Sequence, residues 1–283
     1  MFQRKESNGL VYFTIPCFNE TNQLIHGFTS RIGGVSSQPY ESLNLGFTVG
    51  DSPSAVLQNR RQIAKTLGFP LEDLVAAKQV HRDKIAIVTY KDKGKGALKY
   101  EDAIEDTDAL ITIEKNLPLS TYYADCVPIF ILDTATPAIG LAHAGWKGTA
   151  LKIGAKTVIK MGMVFGTEKK NLKVAIGPGI GPCCYQVDDR IRTAFLKEFL
   201  AAIKYFRNST PGHWQLNLWE ANRDSLMEVG LSEGQIINSK ICTACNTELF
   251  FSHRKEQGLT GRMAALMMLK TGTETSESDV CYD

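Results

Sequence analysis

Histidine is scarce in this chain. Five occur in 283 residues, His26, His81, His143, His213 and His253, and that shortage excludes a whole class of enzyme. A multicopper oxidase builds a trinuclear cluster that demands about eight imidazoles beyond those of a single-copper site, which this chain cannot supply. An excess of charge of one sign is also missing. Thirty-two Lys and Arg against 30 Asp and Glu leave a formal charge of +2, so there is no electrostatic footprint for DNA, RNA or an anionic membrane. Long apolar runs are absent too. The first twenty residues lack a signal-peptide core, and no stretch approaches the roughly 20 apolar residues of a membrane span. The expected location is cytoplasmic. Seven cysteines are too sparse for a disulfide framework, and the odd count leaves one unpaired, so free thiols and metal ligands are expected. With no internal repeat and no long linker, the chain reads as one domain over residues 1–270. A polar, acidic tail without periodicity follows over 271–283, where Cys281 is an incidental thiol.

What is present is an ordinary globular composition, 43% hydrophobic and 22% charged, long enough to bury a core without staples. Short runs rich in β-branched and aromatic residues predict strands at Leu10–Ile15, Ile25–Thr29, Ile85–Val88, Ala109–Ile113, Ile129–Leu132, Ile139–Ala142 and Val174–Ile176. Between them lie helices. One is capped by Ser52, starts on Pro53 and is closed by Gly68. A second begins near Asp188 with Ile191, Phe195, Phe199, Ile203 and Phe206 at helical spacing, and a third runs from about Leu218 to Val229. The longest is expected after His143, with Ala150, Ile153, Thr157 and Met161 in register. Strands and helices alternate without a strict βαβ rhythm, which points to an α+β arrangement around mixed sheets.

Three residues stand out chemically. His143 ends the apolar strand IGLAHAGWKG, where small residues follow at once and let backbone approach something closely. Cys126 lies in YYADCVPIF, where Pro128 cannot donate to a strand ladder and the chain must bend, exposing Asp125 and Cys126. His81 closes AAKQVH before a charged turn. Two imidazoles and a thiolate suffice for a catalytic zinc site, which leaves a fourth position for substrate. The alternative is a satisfied strand-end histidine beside an inert buried cysteine. Arg60 falls inside the apolar face drawn by Val56, Ile63, Ala64 and Leu67 and must find an acceptor there. That acceptor is either a buried carboxylate such as Asp106 or Asp108, or an anionic ligand gripped bidentately. The loop from Phe28 to Gly46, dense in Gly, Ser and Asn with Arg31 near its start, can form an anion-binding concavity or be a plain turn. The glycines at 177, 179 and 181 are a turn and not a dinucleotide fingerprint, because Pro182 stands at the third glycine position. Cys242 and Cys245 make half a zinc ribbon with no second CxxC, and read as a plain thiol pair.

The strings QVH (79–81), ADCVPI (124–129) and HAGWKG (143–148), with FTSRIGGVS (28–36), SLNLG (42–46), AIGPGIGPCCYQV (175–187) and TGRMAAL (260–266), resemble the YfiH-like laccase-domain family over nearly the whole chain up to the tail. The resemblance implies a mixed β-sandwich flanked by helices, the fold shared with cytotoxic necrotizing factor-type cysteine hydrolases. It implies zinc held by His81, Cys126 and His143. It also implies phosphorolysis of adenosine, inosine or methylthioadenosine to free base and sugar 1-phosphate, with adenosine deamination at the same site. For deamination, a catalytic zinc activates water for attack on the purine ring, and Asp125 is the candidate proton carrier. For phosphorolysis, Arg60 is the candidate phosphate anchor, with Asn44 and Arg31 for substrate. The partners expected are a purine nucleoside and phosphate, with no nucleic acid and no membrane, in a monomer or small homo-oligomer.

Competing readings remain open. A His2Cys set also suits a single copper ion and slow phenol oxidation. A structural site would be closed by a fourth ligand from Cys183, Cys184 or His26, leaving a non-enzymatic scaffold. Cys126 and His143 can also form a nucleophile–base pair of a hydrolase acting on a cell-wall precursor.

Overall fold

Two six-stranded mixed sheets face each other in the computed structural model, which describes residues 2–21 and 23–271. The first runs, edge to edge, Gln3–Ser7, Leu10–Thr14, Leu24–Thr29, Met263–Leu269, Leu119–Tyr123 and Val75–Ala76. The second runs Ile236–Asn238, Leu172–Ile176, Val127–Asp133, Ala138–Ala144, Ala109–Thr112 and Ile85–Ile87. A three-stranded sheet of Gln186–Asp188, His213–Leu216 and Phe206–Asn208 adds a small third layer. This is the α+β arrangement around mixed sheets expected from the residue pattern, and the mixed sandwich with flanking helices that the family resemblance implied.

Strand periodicity assigns each side chain its layer, because successive residues face opposite sides of a sheet. In Met263–Leu269 the residues Met263, Ala265, Met267 and Leu269 enter the core between the sheets. Their neighbours Ala264, Leu266 and Met268 enter a second core shared with Ile63 and Ala64 of the helix Pro53–Leu67. In the second sheet Phe130, Leu132, Ile139 and Leu141 point between the sheets. Ile129, Ile131 and Ala142 point outward to the helices, where Ile153–Phe165 covers them. Both faces of each central strand are buried, so these strands read as continuous apolar runs. His143 continues the row Ile139, Leu141, 143, so the alternation directs it between the sheets at the end of that row.

The helix Pro53–Leu67 begins on Pro53 and ends at Gly68, whose φ of 83° suits glycine. Ser52 occupies the N-cap position, yet its side chain makes no capping bond there. Two helix expectations are corrected. The segment after His143 is two helices, Trp146–Ala150 and Ile153–Phe165, because Lys152 adopts a left-handed φ of 58° that breaks the run. The longest helix is therefore Pro53–Leu67. The helix after Asp188, capped by that carboxylate on the Ile191 N–H at 3.1 Å, stops at Glu198. Its apparent continuation separates into a 3-10 turn that leaves Ile203 67% exposed and a strand that takes Phe206. The strands Leu119–Tyr123 and Met263–Leu269, both central to the first sheet, were not foreseen. The tail expected from Thr271 lies, beyond Thr271 itself, outside the described residues. Among those residues no helix is long and apolar enough to cross a membrane.

Candidate metal centre and active-site cavity

The chain passes from one sheet to the other between Tyr123 and Val127, and the crossing is made by a tight turn over Ala124–Cys126. Asp125 takes a left-handed φ of 81° there. The bend therefore falls at Asp125, whereas Pro128 sits inside its strand opposite His143. This turn brings Cys126 to the strand end that carries His143. His81, also left-handed at φ 60°, arrives from the loop after the strand Val75–Ala76. The ligand atoms of His81, Cys126 and His143 all lie within 4.8 Å of one another, and the two imidazole rings meet edge to face at 4.7 Å.

One carboxylate organises the group. Asp108, fully buried, accepts a hydrogen bond from His143 Nδ1 at 2.8 Å. A carboxylate only accepts, so Nδ1 carries a hydrogen, and the other ring nitrogen, Nε2, is turned toward Cys126. The same carboxylate accepts the backbone N–H groups of Val80, His81 and Arg82 at 3.2, 2.9 and 2.8 Å. One side chain thus positions both imidazoles, the carboxylate–histidine support usual behind a metal ligand. Burial by itself would push the Cys126 thiol up, but the adjoining imidazoles, His143 foremost, outweigh it and bring it down to about 6. Burial would likewise lower His143; the Cys126 thiolate and Asp108 outweigh it and raise the imidazole to about 9. Gly145 completes the cradle. A Cβ there would stand 2.9 Å from both Cys126 Sγ and His81 Cδ2. Two neutral-capable imidazoles and an activated thiolate at this spacing fit a zinc ion held by three protein ligands.

The group opens into a cavity of about 540 Å³. Its wall carries Arg60, Arg190, Arg254 and Arg262 and the aromatic rings of Phe47, Tyr100, Tyr122, Trp146 and Tyr185. Asp125 is the single carboxylate in that wall. Its Oδ1 accepts from Thr243 Oγ1 and its Oδ2 from the Arg254 backbone N–H, both at 2.6 Å.

The sequence-derived substrate residues separate here. Arg60 reaches the cavity, sandwiched between the Phe47 and Tyr122 rings at 4.1 and 4.5 Å. Its partners are neither Asp106 nor Asp108 but the carbonyls of Leu45, Gly96 and Ala97 at 2.7–2.9 Å, reached through Nε and Nη1. Asn44 and Arg31 do not line the cavity. Asn44 is fully buried, and its amide holds Gly46, Asp51 and the Arg262 N–H. Arg31 is bound to Glu256 and to the Glu41 and Thr247 carbonyls. The glycine loop offers no open concavity: the N–H groups of Gly33 and Gly34 go to Ser42 Oγ, and that of Val35 to Asn59. Sequence reasoning named Asp108 only as a possible partner of Arg60 and missed its support of the two histidines, and it missed the three further cavity arginines, which sit on segments distant from Arg60 in the chain.

A family model described as multi-copper polyphenol oxidoreductase laccase matches residues 25–270. The chain belongs to this family. The laccase-like chain is 41% identical over 253 residues to the purine nucleoside phosphorylase YlmD of Bacillus subtilis, covering 89% of this chain and 91% of that protein. Two solved structures share its architecture, YlmD from Geobacillus stearothermophilus and the hypothetical protein YfiH of Bacillus licheniformis. Each has a TM-score of 0.89 at 39% identity, over 95% of this chain and 99% of the other. Among the described residues, only two groups of three or more His, Cys, Asp and Glu converge, His81–Cys126–His143 and a separate cluster of cysteines. Cys183 and Cys184 belong to the latter, so neither closes the histidine site.

Proposed function

We propose that this chain is a zinc-dependent purine nucleoside phosphorylase acting on adenosine, inosine or methylthioadenosine, with adenosine deamination at the same centre. One observation carries the reading: a single cavity joins four arginines and five aromatic rings to a convergent His2Cys group. Phosphorolysis needs an anion held against C1′, a flat base held by its faces, and stabilisation of the charge that the purine takes as the C1′–N9 bond breaks. The guanidinium groups suit the phosphate. The rings suit the base, which can stack on them. A cavity of about 540 Å³ is of ligand size. Its one carboxylate already accepts two hydrogen bonds, so the wall favours an anion over a cation. When bound by His81, Cys126 and His143, zinc supplies Lewis acidity to the polar end of the substrate. Asp108 keeps His143 Nε2 directed at the site, and Cys126 and His81 hold their places through the Asp125 and Asp108 turns. Asp125 serves this arrangement by positioning: with both oxygens engaged as acceptors it holds the crossing turn, and it is poorly placed to carry a proton for deamination.

The reading is tested by incubating purified protein with adenosine, inosine or methylthioadenosine, with and without phosphate. Free base and sugar 1-phosphate are expected in the phosphate arm, and inosine from adenosine reports deamination. Cys126→Ala should abolish base release while the protein stays folded. Full phosphorolysis by that variant would end the assignment.

A second reading has its own support, the Asp108–His143–Cys126 relay with its lowered thiol, which resembles the geometry of a cysteine hydrolase. A chelator-stripped chain that keeps full activity and is inactivated by thiol alkylation would favour it.

A further inference from the structure

Far from the strand end that carries His143 in sequence, the loop after the strand Leu172–Ile176 meets the turn Thr243–Cys245. We propose that Cys183, Cys184, Cys242 and Cys245 form a second metal centre, a closed four-thiolate site for Zn²⁺ that clamps these two segments together. The four sulfur atoms lie within 4.8 Å of one another. Cys245 Sγ stands 3.4 Å from Cys183 Sγ and 3.3 Å from Cys184 Sγ. A tetrahedral ion with Zn–S bonds of about 2.3 Å sets its sulfurs roughly 3.8 Å apart. The observed spacing straddles that value and needs only side-chain adjustment.

The backbone is built for the approach. Gly179 and Cys242 form a β-bridge, the Gly179 N–H donates to the Ile241 carbonyl, and the Thr243 N–H donates to the Gly179 carbonyl, both at 3.2 Å. The Gly181 N–H donates to Cys242 Sγ at 3.2 Å, a bond that favours a thiolate. A Cβ at Gly181 would lie 3.1 Å from Cys242 Cβ and 2.7 Å from the Trp219 ring, so the bare backbone is what lets the loops close. All four donors are sulfur and none is a histidine or carboxylate, the set of a structural zinc site with no position left for substrate. Binding displaces the thiol protons to solvent and changes no oxidation state. Cys242 is buried while Cys183 and Cys245 are exposed, which gives the ion an entry path.

The clamp stands directly behind the active-site turn. The Ile180 N–H donates to the Asp125 carbonyl at 2.7 Å, and Thr243 holds the Asp125 carboxylate. Ile180 and Tyr185 line the cavity. The ion therefore supports the wall that carries Cys126. This assignment is independent of the reaction proposed for the cavity.

The test counts metal in full-length protein purified without added metal. Wild type should hold two zinc ions per chain, Cys126→Ala one, and the Cys183→Ser/Cys245→Ser double variant one. Cobalt loaded into stripped Cys126→Ala should give the intense visible bands of a tetrahedral four-sulfur site. The same stripped protein should melt at a lower temperature and recover when zinc is returned. Should the double variant fail to fold, the Cys126→Ala measurements decide alone. The proposal is overturned if Cys126→Ala carries no metal and its four thiols react freely without chelator. It is equally overturned by an intact mass that reveals disulfides among these cysteines, or by an iron chromophore.

Discussion

Asp108→Asn isolates the one side chain that supports two of the three proposed ligands. The carboxylate accepts four hydrogen bonds, from His143 Nδ1 and the N–H groups of Val80, His81 and Arg82. An amide has one oxygen, so it can keep the His143 and His81 bonds on that side while its NH₂ faces the donors of Val80 and Arg82. The flipped amide keeps those two and abandons His143 and His81. Either way a pair of bonds to a buried charge is lost, each worth about 1.5–3 kcal/mol, and donor is set against donor. The expected loss of folding stability is about 3–5 kcal/mol. The first orientation releases the Val80 and Arg82 N–H groups that flank His81, and the flipped one releases His143 and His81 together; loss of such support lowers metal affinity about 10–100-fold. The measurements are urea unfolding, and zinc affinity by competition with a chelator of known strength. Zinc affinity equal to wild type in a folded Asp108→Asn protein would refute the claim that Asp108 sets the ligand geometry.

Gly145→Ala places a methyl 2.9 Å from Cys126 Sγ and His81 Cδ2. It should cost at least about tenfold in zinc affinity with little change in far-UV circular dichroism; tight zinc binding by this variant would contradict the cradle. Arg60→Ala removes a buried guanidinium that binds three carbonyls, so a stability loss of about 3 kcal/mol is expected. Assayed below its melting range, it should raise KM for phosphate more than for nucleoside; an unchanged phosphate KM moves the anchor to Arg190, Arg254 or Arg262. His26 is buried and its Nε2 accepts the Ile15 N–H at 2.8 Å. Burial, foremost, depresses the imidazole to about 4, and the N–H already seated on Nε2 disfavours a proton there as well. The unfolded chain takes up this proton first, so stability is full above the unfolded value near 6.5 and falls as pH drops toward about 4, by about 3 kcal/mol in all. Urea titrations at neutral and acidic pH should show that slope, and His26→Gln, which can still accept the Ile15 N–H, should lack it.

Local signals carried far in this chain because they act over a few residues. The β-branched runs located central strands within one or two residues of their ends, as at Ala138–Ala144 and Leu172–Ile176. Pro53 and Gly68 bounded a helix by their own backbone preferences. The helical stripe past Phe199 misled because apolar spacing says nothing about a break, and Phe206 satisfies its burial from a strand instead. Arg31 and Asn44 misled for a related reason. A polar residue in a glycine-rich loop is equally suited to a ligand or to the loop's own backbone, and the structure gives both residues protein partners.

The sequence by itself determined the alternating cores, the helix ends and the scarcity of histidine that leaves no multicopper cluster. It also singled out His81, Cys126 and His143 as residues at the ends of elements. Only the tertiary structure decided that these three share one point, that Asp108 holds two of them, and that cysteines about sixty residues apart form a second cluster. The reason is physical. Propensity and periodicity are properties of neighbouring residues, whereas these meetings follow from sheet pairing and loop packing across the whole chain, where which side chains touch depends on every intervening turn.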